Sequence, residues 1–385
     1  MSAAASIYLD HAATTPVDPR VRAAMDECLA APPGNASAAH AAGRAAAARI
    51  AMARAQVAQL IGAPPAAIVF TSGATEADNL AILGAARGNA ARGRHVISVR
   101  TEHRAVLEAC ARLAREGFRV TLLAPGRDGL VEPAAVAAAL APDTTLVSVM
   151  LVNNETGVLQ DIAAIAAACR AREVLLHVDA AQAAGRVPLD VVALDADLIS
   201  LSAHKIHGPA GIGALYVRRA PRPALVPLMF GGGQEGGLRP GTLAVHQAVG
   251  MGLAFELAGR ELAAESARLA GLCARLRDGL MPLGGVHLNG HPTRRAPHIL
   301  NLSFEGLDGE SLLYALDGLA VAGGAACTST QPEPSYVLRA LGREPALAEA
   351  SLRFSVGRTS TAVEIDAAIV LVRAAVTRLR ALAPA

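Results

Sequence analysis

Between residues 68 and 217, short runs rich in Val, Ile and Leu alternate with stretches of helical pattern, and this alternation restricts the fold most tightly. Strands are expected at 68–71, 95–99, 119–123, 145–151, 174–179, 197–202 and 214–217, and helices near Thr75, Arg104, Glu132 and Asp161. Strand–helix–strand units join parallel strands, and apolar runs without polar alternation suit a sheet covered on both faces. The expected class is α/β, a large domain with a mostly parallel sheet followed by a smaller α+β C-terminal domain. Strands of the second domain are expected near 286–288, 298–304, 320–323 and 352–356, with helices from Asp308, Pro334 and Ala362. A helical stretch from about 244 to 280 joins the two, so residues 15–255 are assigned to the large domain and 1–14 with 256–385 to the small one. Ahead of the sheet, a helix is expected over 19–30 and a longer one over about 37–60, with Arg44, Arg49 and Arg54 on its outer face.

Composition narrows the function classes. A chain of 385 residues with 52% hydrophobic content can bury a sizeable core, and a formal charge of +2 offers no footprint for non-specific nucleic-acid binding. Nothing approaches eighteen consecutive apolar residues, and the stretch from Met1 to Ser6 lacks the pattern of a secretory signal. Cysteines at 28, 110, 169, 273 and 327 form no C-x-x-C pair, which suits a reducing cytoplasm better than disulfides or zinc. His287 and His291 sit across a Gly/Pro turn rather than on one helical face, so no metal site is expected.

Of 35 Lys plus Arg residues, 34 are arginine and one is lysine, Lys205. Guanidinium stays protonated and cannot attack a carbonyl, so a lysine retained in so arginine-rich a chain points to Schiff-base chemistry, most often with pyridoxal phosphate. Lys205 follows an apolar strand in Ser202-Ala-His204-Lys205, and ligands of such sheets gather at the carboxyl ends of strands. Other strand ends fit the same cofactor. Thr71-Ser-Gly-Ala-Thr75-Glu76 opens a helix whose free N–H groups and the Thr75 hydroxyl suit a phosphate, or else form an ordinary cap. A strand ending in Asp179, with Gln182 beyond it, offers a carboxylate for a pyridine nitrogen. His103 could stack on the ring and exchange protons, or simply cap a helix, and Asn153-Asn154 offers amides. The glycine-rich block 231–242 reads as a flexible loop without the setting of a nucleotide-binding fingerprint.

Cys28, Cys110, Cys169 and Cys273 fall in helical patterns and read as small core residues. Cys327 lies among small residues, Gly323-Gly-Ala-Ala-Cys327-Thr-Ser-Thr330, where a thiol is accessible and can move. One imine-forming lysine and one exposed thiol suggest that sulfur leaves a cofactor-bound amino acid for the thiol.

The chain resembles the pyridoxal-phosphate cysteine desulfurases, the class V branch of the aspartate-aminotransferase fold. Tyr8-Leu-Asp10, the 71–76 turn, Thr101-Glu-His103, Val152-Asn-Asn-Glu155, His177-Val-Asp179, His204-Lys205, Arg239–Thr242, Ala326-Cys-Thr-Ser329, the 333–341 segment and Arg353-Phe-Ser355 carry the likeness over nearly the whole chain. It implies that Lys205 binds the cofactor, Asp179 faces the pyridine nitrogen, Gln182 bonds the ring oxygen and His103 stacks. It further implies a phosphate held by Thr75, Ser202 and His204 with Thr242 of a partner subunit, hence a homodimer. Arg353, Asn154 and Asn35 would hold the L-cysteine substrate, and Cys327 would take its sulfur as a persulfide, leaving alanine. The setting of Cys327 is similar to the long-cysteine-loop subgroup, although Ala322-Gly-Gly-Ala-Ala326 replaces the usual serines and Gly236 a common arginine. The resemblance implies a sulfur-acceptor protein, either an iron–sulfur scaffold or a DNA phosphorothioation component, and the end at Ala385, soon after the last helix, leaves room for the specialised acceptor. Same-fold alternatives are a selenocysteine lyase or a small-amino-acid aminotransferase; a non-catalytic sulfur relay is the alternative of another class.

Overall fold

The computed structural model describes residues 7–323 and 334–382. Seven strands form the main sheet in the spatial order Ile68–Thr71, Gly213–Val217, Leu198–Ser202, Leu175–Asp179, Thr144–Ser148, His95–Val99, Arg119–Leu123. All pairings are parallel except the two made by Gly213–Val217, which runs antiparallel to both its neighbours. Inner strands such as His95–Val99 and Leu198–Ser202 are buried throughout, whereas the edge strand Arg119–Leu123 keeps exposed positions, as a sheet covered on both faces requires. The 145–151 expectation is corrected to Thr144–Ser148, yet Val149 N and Leu151 N still donate to the carbonyls of His177 and Asp179. That continuation carries residues 152–154 to the same sheet end as Asp179.

The long helix begins at Ala41, not near Ser37. Asn35 accepts from Ser37 N in a tight turn, and His40 caps the helix by accepting from Gly43 N. Arg54 is not on the outer face. It pairs with the buried carboxylate of Glu235 at 2.6 Å, and Glu235 accepts from Phe70 N at 2.7 Å. The glycine-rich block is therefore held rather than flexible at that point, with a second tie from Arg239 to Glu76 at 3.0 Å.

The C-terminal part builds a four-stranded antiparallel sheet in the order Ala322–Gly323, Ser351–Ser355, Ile299–Phe304, Val286–Leu288. The single strand expected at 320–323 is two pieces. Leu319–Ala320 pairs in parallel with Ile7–Tyr8, and Ala322–Gly323 pairs with Ser351–Ser355. Helix Val245–Leu280 serves two cores: Met251 and Phe255 pack under the main sheet, while Leu269, Leu272 and Leu276 pack with Leu9, Phe304 and Phe354. Cys110 and Cys169 are core residues as expected, but Cys28 and Cys273 are only half-buried, Cys273 packing against the second core. No helix among the described residues is long and apolar enough to cross a membrane.

Charge joins the parts where apolar packing stops. Arg186 is buried and pairs with Glu265 of the long helix at 2.6 Å, while Glu265 also binds Arg358 at 3.1 Å and Arg358 binds Asp18 at 2.6 Å. Arg186 donates as well to the carbonyl of Lys205 at 3.2 Å. Removing one member of a buried ion network strands the other charges, at a cost of about 3–5 kcal/mol. Glu265→Ala should therefore lower the unfolding free energy in urea by about that amount. A loss below about 1 kcal/mol would show that the two arginines find other partners.

Candidate active site

The carboxyl ends of the central strands, the segment Ala12–Ala13 and Arg353 enclose a cavity of about 520 Å³. Lys205 projects into it from a turn after strand Leu198–Ser202. Thr15 Oγ1 fixes that turn twice, donating to the carbonyl of His204 at 2.8 Å and accepting from His207 N at 2.7 Å. The lysine Nζ donates to the carbonyls of Ala12 and Ala13 at 2.6 and 2.8 Å. Burial, and then the positive charge of Arg353, push this amine down to about 8. A neutral fraction, the nucleophilic form, is thus available near physiological pH.

Asp179 ends its strand on the cavity wall, buried, with one oxygen accepting from Ala181 N at 2.9 Å. Desolvation raises its carboxyl above the usual range. A cation placed in the cavity would relieve that penalty. Gln182 sits one turn further, its Nε2 donating to the carbonyl of Ala12 at 2.8 Å. His103 lines the cavity and also caps the helix Arg104–Arg115, accepting from Ala105 N at 3.2 Å. Burial lowers its basicity, as it does for His204, which falls to about 4.

The start of helix Ala74–Gly88 borders the same cavity. Gly73 is the N-cap of helix Ala74–Gly88 and supplies no side-chain acceptor, so the first N–H groups of that helix stay open toward the cavity. Exposed Thr75, buried Ser202 and half-buried His204 surround the same region. Glu76 braces the turn by accepting from Ser72 N at 2.7 Å. At the remaining wall Arg353 binds Asp10 at 2.7 Å and the carbonyl of Asn154 at 2.9 Å. Arg353 Nε and Asn154 Oδ1 are buried without a hydrogen-bond partner among the described residues, donor and acceptor groups left for a ligand.

Nine of the twelve expected residues therefore meet at one cavity. Asn35 and Thr242 do not: both are exposed, Asn35 in its own turn and Thr242 beside a neighbouring hollow shared with Arg239 and Leu243. Cys327 lies outside the described residues.

Three features were not foreseen. The carbonyls of Ala12 and Ala13 carry no side-chain signal. Asp10, though part of the recognised pattern, had no role until Arg353 was seen to bind it. Asp78 lines the cavity one helical turn after Thr75, 1% exposed, with neither oxygen hydrogen-bonded among the described residues. Its burial, and next the nearby Asp179 charge, push its carboxyl well above the usual range. The i+3 spacing of Asp78 from Thr75 was the available signal.

The family model described as aminotransferase class V matches residues 7–368. The chain is 56% identical over 382 residues to cysteine desulfurase IscS of Azotobacter vinelandii, covering 98% of this chain and 94% of that protein. A solved NifS-like protein superposes with a TM-score of 0.90 at 34% identity, covering 97% of this chain and 100% of the other. The crystal structure of DndA from Streptomyces lividans superposes with a TM-score of 0.78 at 43% identity, covering 90% and 99%.

The depressed basicity of Lys205 can be measured directly. In cofactor-free protein, the rate of reductive labelling of Lys205 by a small aldehyde should rise through a midpoint near pH 8, and Arg353→Leu should move that midpoint upward. Labelling that follows an ordinary lysine, near 10.4 in both proteins, would contradict the desolvated placement.

Proposed function

The chain belongs to the class V aminotransferase family and is a cysteine desulfurase, and from that premise we propose that Lys205, Asp179, Arg353 and Cys327 carry the reaction. The convergence of Lys205, Asp179 and the open helix N-terminus on one cavity is the observation that carries this reading. Those residues fit pyridoxal 5′-phosphate: an amine for its aldehyde, a buried carboxylate short of a cation for its pyridine nitrogen, and uncapped N–H groups for its phosphate. Bound there, the cofactor would supply an electron sink that allows a carbon–sulfur bond to break. His103 would stack on the ring and exchange protons from its free nitrogen, and Gln182 would donate to the ring oxygen. Thr75, Ser202 and His204 would hold the phosphate. The fork of Arg353 and the amide N–H group of Asn154 would take the substrate carboxylate, with Asn35 approaching only if its turn moves.

Cys327 receives the sulfur as a persulfide, and alanine departs. Three other thiols are poorly suited to the role: burial pushes Cys110, Cys169 and Cys273 up to about 12, where they stay protonated. The segments on either side of 324–333 flank the cavity. Ala322 pairs with Arg353, Ser335 Oγ donates to Glu155, and Tyr336 donates to the carbonyl of Glu102, next to His103. These anchors support delivery of Cys327 to the substrate sulfur.

A homodimer with Thr242 reaching the partner's phosphate belongs to the same proposal. Thr242 is exposed outside its own cavity, and Phe230, 85% exposed, lies on the same glycine-rich stretch. A division into two parts is supported by the two cores that meet along the long helix, although Ala12 and Ala258, on the small-domain side of residues 15 and 255, pack with the first core. We assign the enzyme to the cytoplasm, where it would pass sulfur to an acceptor protein for iron–sulfur assembly, as the IscS likeness suggests, or for DNA phosphorothioation, as the DndA likeness suggests.

Cys327→Ser should keep the cofactor and still change its visible spectrum when L-cysteine is added, yet release less than about 1% of the wild-type alanine, because serine is too weak a nucleophile. Full alanine release by that variant would overturn the role of Cys327, and keto acid in place of alanine from wild type would favour transamination. For the substrate carboxylate, a forked charge-assisted contact contributes about 1.5–3 kcal/mol. Arg353→Lys should accordingly raise the half-saturating cysteine concentration by about tenfold or more. Unchanged saturation would place the carboxylate elsewhere.

A further inference from the structure

His298 stands behind the cavity rather than in it. It immediately precedes strand Ile299–Phe304 of the small sheet, is 2% exposed, and its backbone is fixed by Val356 N donating to its carbonyl at 3.0 Å. Its Nε2 lies 3.4 Å from Oε1 of Gln182. Three contacts then determine one another.

Gln182 has an amide NH2 and a carbonyl that could exchange places by rotation. The group 2.8 Å from the carbonyl of Ala12 must be the NH2, because the reverse would press two acceptors together. The Gln182 carbonyl consequently faces His298, and only a protonated Nε2 can satisfy it. In the neutral ring the bare nitrogen is then Nδ1, and Nδ1 is the atom of His298 that has no partner among the described residues. The neutral form suits the surroundings, since burial and the nearby charges of Arg186, Arg353 and Lys205 oppose a further cation. The other side of the amide follows from this. One N–H of Gln182 is spent on Ala12, whose carbonyl also takes Lys205 Nζ at 2.6 Å, and the second N–H remains for the cavity that Gln182 lines.

We propose that His298 is a positioning residue for the desulfurase reaction: by donating from Nε2 to Gln182 Oε1 it fixes the amide so that an N–H, and not the carbonyl, meets the ring oxygen of the cofactor. This rests on the reading that Gln182 contacts that oxygen. Because His298 is held by the small sheet and Gln182 follows a strand of the main sheet, the contact also ties the orientation of a cofactor donor to the seating of the small domain.

The test reads the pH midpoint of the visible absorbance of cofactor-loaded protein, with melting followed separately by circular dichroism. A donor stabilises the deprotonated ring oxygen, so losing it raises the midpoint. Gln182→Leu should raise it by about one pH unit, the size expected for one charge-assisted hydrogen bond. His298→Leu should raise it by at least half as much, His298→Asn should restore it through its own NH2, and the double variant should go no further than Gln182→Leu. If Gln182→Leu shifts the midpoint and His298→Leu does not, or if the two shifts add, the inference fails while the reading of Gln182 stands. An unmoved midpoint in Gln182→Leu overturns both. Should His298→Leu not fold, nitrogen-15 NMR of the wild-type loaded protein decides, with a proton on Nε2 expected and a proton on Nδ1 contradicting the assignment.

Discussion

The Lys205 amine sits between the carbonyls of Ala12 and Ala13 inside a largely desolvated cavity, and most of the chain's organisation bears on that placement. Water would hold an ammonium more favourably than two carbonyls and a neighbouring guanidinium do, which is why the amine loses basicity. Keeping it there takes two restraints from outside the strand that delivers it. Thr15 pins the turn from the N-terminal side, and Arg186 holds the Lys205 carbonyl from a network that reaches the long helix and the small domain. The reactive nitrogen is thus positioned by residues from four separate stretches of sequence.

The cavity is electrostatically uneven, and that unevenness suits a zwitterionic cofactor and substrate. Open helix N–H groups and His204 lie on one side, Arg353 on another, and two buried acids, Asp179 and Asp78, on the inner wall. Behind them His177 is buried between the hydroxyls of Ser148 and Ser200 at 2.8 and 2.9 Å and lies 3.6 Å from Asp78. Burial drives His177 down to about 3, so it neutralises neither acid. The inner wall therefore lacks a positive charge of its own, and a protonated pyridine would supply one.

How much of this could be read from sequence depended on whether side chains carried the information. The strands were legible because buried parallel strands read as continuous apolar runs, and their carboxyl ends then placed Lys205, Asp179 and His103 together. The start of the long helix was misread because alanine-rich sequence looks helical well before His40 provides the cap. Asn35 and Thr242 were associated with the site through resemblance, and neither reaches the cavity of its own chain. Arg54 looked like an exposed cation because its partner, Glu235, is 181 positions away. The carbonyls of Ala12 and Ala13 had no signal at all, since every residue has one and only the fold decides which are used.

In the proposed reaction, sulfur leaves cysteine at the Lys205 cavity and lands on Cys327. Mass spectrometry of wild-type, cofactor-loaded protein, treated with L-cysteine without reductant and quenched by alkylation, tests it most directly. The account predicts one added sulfur on the peptide containing Cys327, none on those containing Cys28, Cys110, Cys169 or Cys273, and no added sulfur anywhere in Lys205→Ala. Sulfur retained on one of the other four cysteines, or on Cys327 without Lys205, would contradict it.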